Sequence, residues 1–317
     1  MRYCILFFTL VVSGCLPHYE PPLTLGTNLW IGYEPLYLAR ELDYYRNQNI
    51  RLVELGSTSQ ALDALRVGKL DMAAVTLDEA ILLTQENLPI KVIWVMNISA
   101  GADALVVKPQ IKQASDLRGK RIGVEQTAVG AYLLSSFLAR TGLELAEIKI
   151  VSLPLDEHLP AWKSQKVDAL ITFDPVLQAV LKQNGRVLFD SRAMPGEVVD
   201  VLVARKEALA CCSERIEHLI KGQQKALVYL ATHPQAAQEL MAKRSQSTRA
   251  DIAAALTGLE LPNQQQNHQL LHALQHNDAP LTQSAQRLAQ IMYRSGLIPQ
   301  SVDVSKLVDD RFAHKEL

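Results

Sequence analysis

Residues 23–42 set a pattern that the rest of the chain repeats. Leu23 and Leu25 head a short apolar strand, Gly26, Asn28 and Gly32 interrupt it, and Leu36, Leu38, Ala39 and Leu42 then recur at helical spacing. Between strand and helix lie Asn28, Trp30, Tyr33 and Glu34, a polar and aromatic turn. A strand-to-helix corner at the carboxyl end of a parallel strand is where open α/β folds bind ligands. An ordinary strand-to-helix loop with a packing tryptophan fits the same residues equally well.

The switch from period two to period 3.6 recurs. Residues 50–55 alternate as a strand, and Ser57-Thr58-Ser59-Gln60 opens a helix that runs to Gly68. Residues 72–75 form a short buried strand, and Thr76-Leu77-Asp78-Glu79 is a second capping box. Apolar strands follow at 90–98 and 104–107. The pattern then restarts: a strand at 121–124 leads to Thr127, the expected cap of a helix with Tyr132, Leu133, Leu134, Phe137 and Leu138 on one face. A strand at 148–152 precedes a helix expected to be capped by Asp156 and to reach Trp162. After a strand at 167–172, Phe173-Asp174-Pro175 turns the chain, with Asp174 read as N-cap and Pro175 as the first helical residue. Strands at 187–190 and 198–204 follow, and helices are expected at 215–232, 234–243, 249–258, 264–275 and 281–295.

This alternation predicts an α/β fold of two lobes, each a mostly parallel sheet flanked by helices, with a helical C-terminal tail. Residues 23–102 plus 203–317 form the first expected lobe and residues 103–202 the second. The crossings near 98–104 and 198–204 read as hinges. With 317 residues and 48% of them hydrophobic, the chain has ample material for such a core. Its 32 Lys and Arg balance 33 Asp and Glu with no basic stripe, which excludes nucleic acid as a partner.

Residues 1–14 read as an export signal rather than structure: Arg2 is the positive end, residues 5–12 the apolar run, and Ser13-Gly14-Cys15 the small residues before a cysteine. That ending resembles a bacterial lipobox, which implies lipidation of Cys15. Leu16 in the next position implies, by the bacterial sorting rule, the outer membrane. Residues 15–22 would be a proline-rich tether. Cys4 leaves with the signal, so Cys211 and Cys212 remain. Their adjacent Cα atoms, about 3.8 Å apart, fall short of the usual disulfide span of about 4.4 Å or more, which favours two buried thiols over a vicinal bridge.

His268, His272 and His276 recur every fourth residue on one expected helix. The outer two are about 12 Å apart along the axis and cannot share an ion, so the Gln-rich helix reads as a solvated face and no metal is assigned. His158 reads as a surface or hinge residue near the second-lobe cleft, and Trp94 and Trp162 as core. The chain carries no G-x-S-x-G, P-loop, G-x-G-x-x-G, H-E-x-x-H or C-x-x-C motif, so neither a catalytic residue nor a cofactor is expected.

In order, LWIGYEPLYLAREL, ALDALRVGKLDMAAV, DLRGKRIGV and VDALITFDPVL, behind a lipobox and ahead of a helical tail, resemble the extracytoplasmic solute-binding proteins of the nitrate/sulfonate/taurine and thiamine-precursor group. The resemblance implies a type II periplasmic-binding-protein fold, a monomer in the periplasm, and a small ligand held between the lobes. It also implies a partner, either an ABC permease that receives the ligand or a membrane sensor receptor. The corresponding site residues are Asn28, Trp30, Tyr33 and Glu34; Thr58; Thr76 and Asp78; Gln126, Thr127 and Ala128; and Phe173 and Asp174. Thiamine-precursor relatives that perform chemistry use a cysteine-rich segment, and this chain has none. One departure concerns charge: the corners carry Glu34, Asp78, Glu125 and Asp174 and no Arg or Lys. A carboxylate at a helix N-terminus repels an incoming anion, so the expected ligand is neutral or an amine or heteroaromatic cation stacked on Trp30 and Tyr33.

Overall fold

The computed structural model describes residues 20–125, 129–273 and 279–314. The expected signal, Cys15, Leu16, the start of the tether, Gln126, Thr127, Ala128 and His276 lie outside the described residues. Among the described residues no helix is long and apolar enough to cross a membrane.

The chain opens with β1 (Leu23–Asn28), α1 (Glu34–Glu41), β2 (Ile50–Leu55), α2 (Thr58–Arg66), β3 (Met72–Thr76), α3 (Leu77–Gln85) and β4 (Ile90–Ser99). β1 pairs in parallel with both β2 and β3, from Leu23 opposite Ile50 to Asn28 opposite Leu55 on the β2 side. Gly26 is required there: a Cβ would lie 2.3 Å from Leu70 Cδ1. Both expected capping residues act. Ser57 Oγ accepts from Gln60 N at 3.3 Å, and Glu79 Oε2 accepts from Thr76 N at 2.8 Å, so α2 and α3 each start at the end of a strand.

A second run follows as β5 (Asp103–Val107), β6 (Arg121–Val124), α4 (Val129–Thr141), β7 (Lys149–Ser152), α5 (Leu155–Lys163), β8 (Ala169–Phe173), α6 (Val176–Leu181) and β9 (Arg186–Asp190). The chain then returns as β10 (Val199–Arg205) and continues through α7 (Lys206–Cys211), α8 (Ser213–Thr232), α9 (Pro234–Arg244), α10 (Arg249–Leu256), β11 (Leu259–Glu260), α11 (Gln264–Leu271) and α12 (Pro280–Arg294). One sheet has the order β11-β4-β10-β3-β1-β2 and the other β7-β6-β8-β5-β9. The parallel parts are β2-β1-β3 and β7-β6-β8, as the alternation requires. The strands by which the chain changes sheets run against them: β10 is antiparallel to β3 and β4, and β5 to β8 and β9. Each sheet is therefore mixed, with helices on its faces.

Trp94 and Trp162 are buried as expected. One apolar core holds Trp94, Tyr33 and Tyr37 and continues into the second sheet through Leu105, Ile122 and Phe173. A smaller core around Trp162, Leu170 and Val180 fills the far face of the second sheet. Three local expectations need correction. α6 begins at Val176, so Pro175 occupies the cap position and Asp174 precedes it, though Asp174 Oδ1 still accepts from Gln178 N at 3.1 Å. Pro154 rather than Asp156 stands at the start of α5, with Asp156 in its first turn. Cys211 and Cys212 are disulfide-bonded to each other, not two thiols, with Cα atoms 3.8 Å apart. The backbone at Cys212 leaves helical geometry, with φ −131° and ψ 22° between α7 and α8.

Candidate ligand-binding cleft

Short sheet-to-helix turns bring one end of each sheet to a common cleft. Trp30 follows β1 and donates from Nε1 to Asn97 Oδ1 of β4 at 3.3 Å, and Tyr33 OH donates to Asp200 Oδ1 of β10. Register explains why these side chains meet, since Asp200 lies opposite Thr76 on one side and Asn97 on the other. Gly32 keeps the space open: a Cβ there would fall 2.2 Å from Asn97 Nδ2 and 2.4 Å from Trp30 Nε1.

From the second sheet, Phe173 at the end of β8 pairs with Asp103 at the head of β5. The Phe173 ring meets Trp30 edge-on, with centroids 5.1 Å apart at 85°, and joins the two sheets. Two further latches cross the cleft. Glu125, just past β6, accepts from Ser59 N at 3.2 Å and from Ser59 Oγ at the start of α2, and Lys182 Nζ pairs with Asp251 Oδ2 at 2.6 Å. Trp30, Glu34, Asp174 and Gln178 line one narrow pocket, and Asp103, Glu125, His158 and Phe173 line another.

The dominant feature is a cluster of buried carboxyls without a cationic partner among the described residues. Asp78, Glu79, Asp103, Glu125, Asp174 and Asp200 are each at most 6% exposed, and among the described residues no Arg or Lys forms an ion pair with any of them. Burial pushes all six carboxyls up: Asp78 and Asp174 to about 6, Asp103 to about 7, Glu79 and Asp200 well above the ordinary carboxylate range, and Glu125 in the same direction. Mutual repulsion adds to this. Asp103 feels Asp78 and Asp174, Asp200 feels Asp103 and Asp78, and Glu79 feels Asp78 and Glu125. Among the described residues, Glu79 Oε1, Asp103 Oδ2, Glu125 Oε2 and the amide Nδ2 of Asn97 are buried without a hydrogen-bond partner. Tyr33, fully buried beside Asp200, is pushed well above its ordinary range and stays a neutral donor.

Of the residues expected from sequence, Trp30, Tyr33, Thr76, Asp78, Phe173 and Asp174 meet at this cleft, and Asn28 and Thr58 are buried at their corners. Glu34 is different. Arg244, from α9 in the tail, pairs with both its carboxylate oxygens and with Glu54, and stacks on Tyr37 at 4.0 Å. Its charge is therefore spent on holding the tail to α1, and a cation does approach this corner after all. His158 is buried, not a surface residue: Nε2 donates to the Leu153 carbonyl at 3.1 Å and Nδ1 accepts from Thr172 Oγ1 at 3.1 Å. Desolvation lowers its pKa to about 4, so it is neutral. Sequence reasoning passed over Asn97, Glu79, Asp103 and Asp200. The available signal was an acid in an otherwise apolar strand, as in VVDVLVA, because an unpaired buried acid is rarely structural.

Comparison with known proteins agrees with this architecture. The chain is 25% identical over 272 residues to the taurine-binding periplasmic protein of Escherichia coli, covering 81% of each. It is 25% identical over 269 residues to a putative aliphatic sulfonates-binding protein of the same organism, covering 83% of this chain and 80% of the relative. The fold superposes on the alkanesulfonate-binding protein SsuA from Xanthomonas axonopodis pv. citri, solved with MOPS bound, at a TM-score of 0.78 and 19% identity, over 92% of this chain and 100% of that one. The NMT1/THI5-like family profile matches residues 30–237, which include the first-sheet corners and the Phe173–Asp174 corner, and the chain belongs to that family.

Proposed function

We propose that this chain captures a small organic cation, an amine or protonated heteroaromatic, by closing two sheets around it, and delivers it to an ABC importer. The solute-binding part of this reading is supported by relatives named as binding proteins of the periplasm. The anchor on Cys15 belongs to the same proposal and would hold the protein at a membrane surface facing the periplasm. The cation rests on one observation: six buried carboxyls converge with no Arg or Lys among the described residues to neutralise them. A sulfonate entering this cleft would be repelled by whichever of the six acids are ionised, in a setting where charge is poorly screened. A cation would do the reverse, taking up the oxygens of Glu79, Asp103 and Glu125 that have no partner among the described residues while Trp30 and Tyr33 offer aromatic faces. Ligand binds the closed arrangement preferentially and so shifts the population toward it. No residue of the cleft is assigned a chemical step, and the protein is read as a binder rather than a catalyst.

Calorimetry with amines, aminopyrimidines and alkanesulfonates tests this. An amine should bind at pH 8 and lose affinity toward pH 5, because Asp78, Asp103 and Asp174 take up protons near 6 to 7 and protonated acids no longer attract a cation. Trp30→Ala should weaken binding at least tenfold. Tight sulfonate binding without amine binding would sink the proposal.

A further inference from the structure

Far from the cleft, three histidines from two distant parts of the chain form a triangle. His268 and His272 stand one turn apart at the end of α11, and His314 arrives from the C-terminal segment. Ring centroids are 4.9 Å apart for His268–His272, 5.0 Å for His268–His314 and 4.4 Å for His272–His314. One nitrogen of each lies within 4.8 Å of the others. Asp310 Oδ2 bridges two of the rings, 3.0 Å from His272 Nδ1 and 2.8 Å from His314 Nε2.

We propose that His268, His272 and His314, oriented by Asp310, form a binding site for a divalent transition ion of the zinc class. Partly exposed imidazoles gain little by packing on one another. A borderline cation is the partner that draws three neutral imidazoles together. Zinc-to-nitrogen bonds of about 2.0–2.1 Å place tetrahedral donors roughly 3.4 Å apart, within reach of small ring rotations from the observed spacing. A carboxylate that hydrogen-bonds ligating imidazoles is the usual support of such a site. The frame is also fixed. Val92 of β4 bridges to Val308, Val92 O accepts from Asp309 N at 2.9 Å, Phe312 and Ala313 are buried, and Gln264 Nε2 donates to the Ala313 carbonyl at 2.9 Å. The ion would pin the C-terminal segment to α11. Sequence spacing alone led elsewhere, to His276, because the third ligand lies more than forty residues downstream.

The test uses the full mature chain without a polyhistidine tag, stripped with EDTA and titrated with zinc chloride by calorimetry and with cobalt(II) by visible absorption. One ion per chain and a tetrahedral cobalt spectrum are expected. His314→Ala should abolish the cobalt bands, and Asp310→Asn should weaken zinc binding about tenfold to a hundredfold. Because His314 is exposed, its variant should melt with the EDTA-treated wild type; should it not, long-range proton–nitrogen spectra of the wild type replace it, with zinc shifting the side-chain signals of His268, His272 and His314. Zinc binding at wild-type strength in His314→Ala, or shifts confined to other histidines, overturns the proposal. So does loss of binding in Asp103→Asn with retention in His314→Ala, which would put the ion in the cleft.

Discussion

Replacing Asp103 by Asn should make the ligand-free protein more stable at pH 8 and nearly unchanged at pH 4. Asp103 is 4% exposed, its Oδ2 has no hydrogen-bond partner among the described residues, and burial with the neighbouring charges of Asp78 and Asp174 lifts its pKa from the usual 3.8 to about 7. Between those two values the folded chain holds a proton that the unfolded chain has released. Stability therefore falls as pH rises through about 4 to 7 and levels off above. A rise of about three units at roughly 1.36 kcal/mol each makes the ionised side chain unfavourable by ~4 kcal/mol at pH 8. Asn cannot ionise and escapes this term. Allowing for imperfect placement of its amide, a gain of ~2–4 kcal/mol is expected, or a melting point higher by roughly 5–15 °C. Thermal and urea melts of dialysed wild type and variant at pH 4, 6 and 8 measure it. The reasoning fails if the variant's advantage is the same at all three pH values, or if wild type is the more stable at pH 8. Amine affinity should fall in the same variant, separating stability from function at one residue.

Two other changes probe the frame of the cleft. Arg244→Ala should destabilise by about 3–5 kcal/mol, because Glu34 is left as a buried, unpaired carboxylate, and Arg244→Met combined with Glu34→Gln should recover much of that loss; urea melts of the three chains check both steps. Gly32→Ala should lower amine affinity about tenfold or more, since its Cβ lands on Asn97 and Trp30, and should cost about 1–3 kcal/mol of stability; unchanged calorimetric affinity would show that Trp30 does not shape the ligand site.

Local chemistry was the readable part of the cleft. Ser57 and the Thr76–Glu79 pair announce helix starts because the groups that bond lie three residues apart, and Trp30 and Tyr33 stand out as aromatic side chains in a glycine-rich turn. Asp200 and Asp103 were hidden for a different reason. Each sits in an apolar strand whose partners, Thr76 and Asn97 for one and Phe173 for the other, are set by sheet register across tens of residues. Charge was misjudged only where a distant element intervened: Glu34 belongs with the cleft acids by position, but Arg244, two hundred and ten residues on, takes its charge.

By itself the sequence determined the alternating α/β elements, the caps that begin α2 and α3, the buried Trp94 and Trp162, and the excess of acids over cations at the corners. Periodicity, capping and composition act over three or four residues, so one strand of text contains them. Tertiary structure decided which acids face each other without a cation, that β5 and β10 run against their neighbours as the chain changes sheets, that Cys211 and Cys212 are bridged, and that His314 joins His268 and His272. Each of those outcomes depends on groups far apart in the chain, brought together by strand register and by where the tail packs.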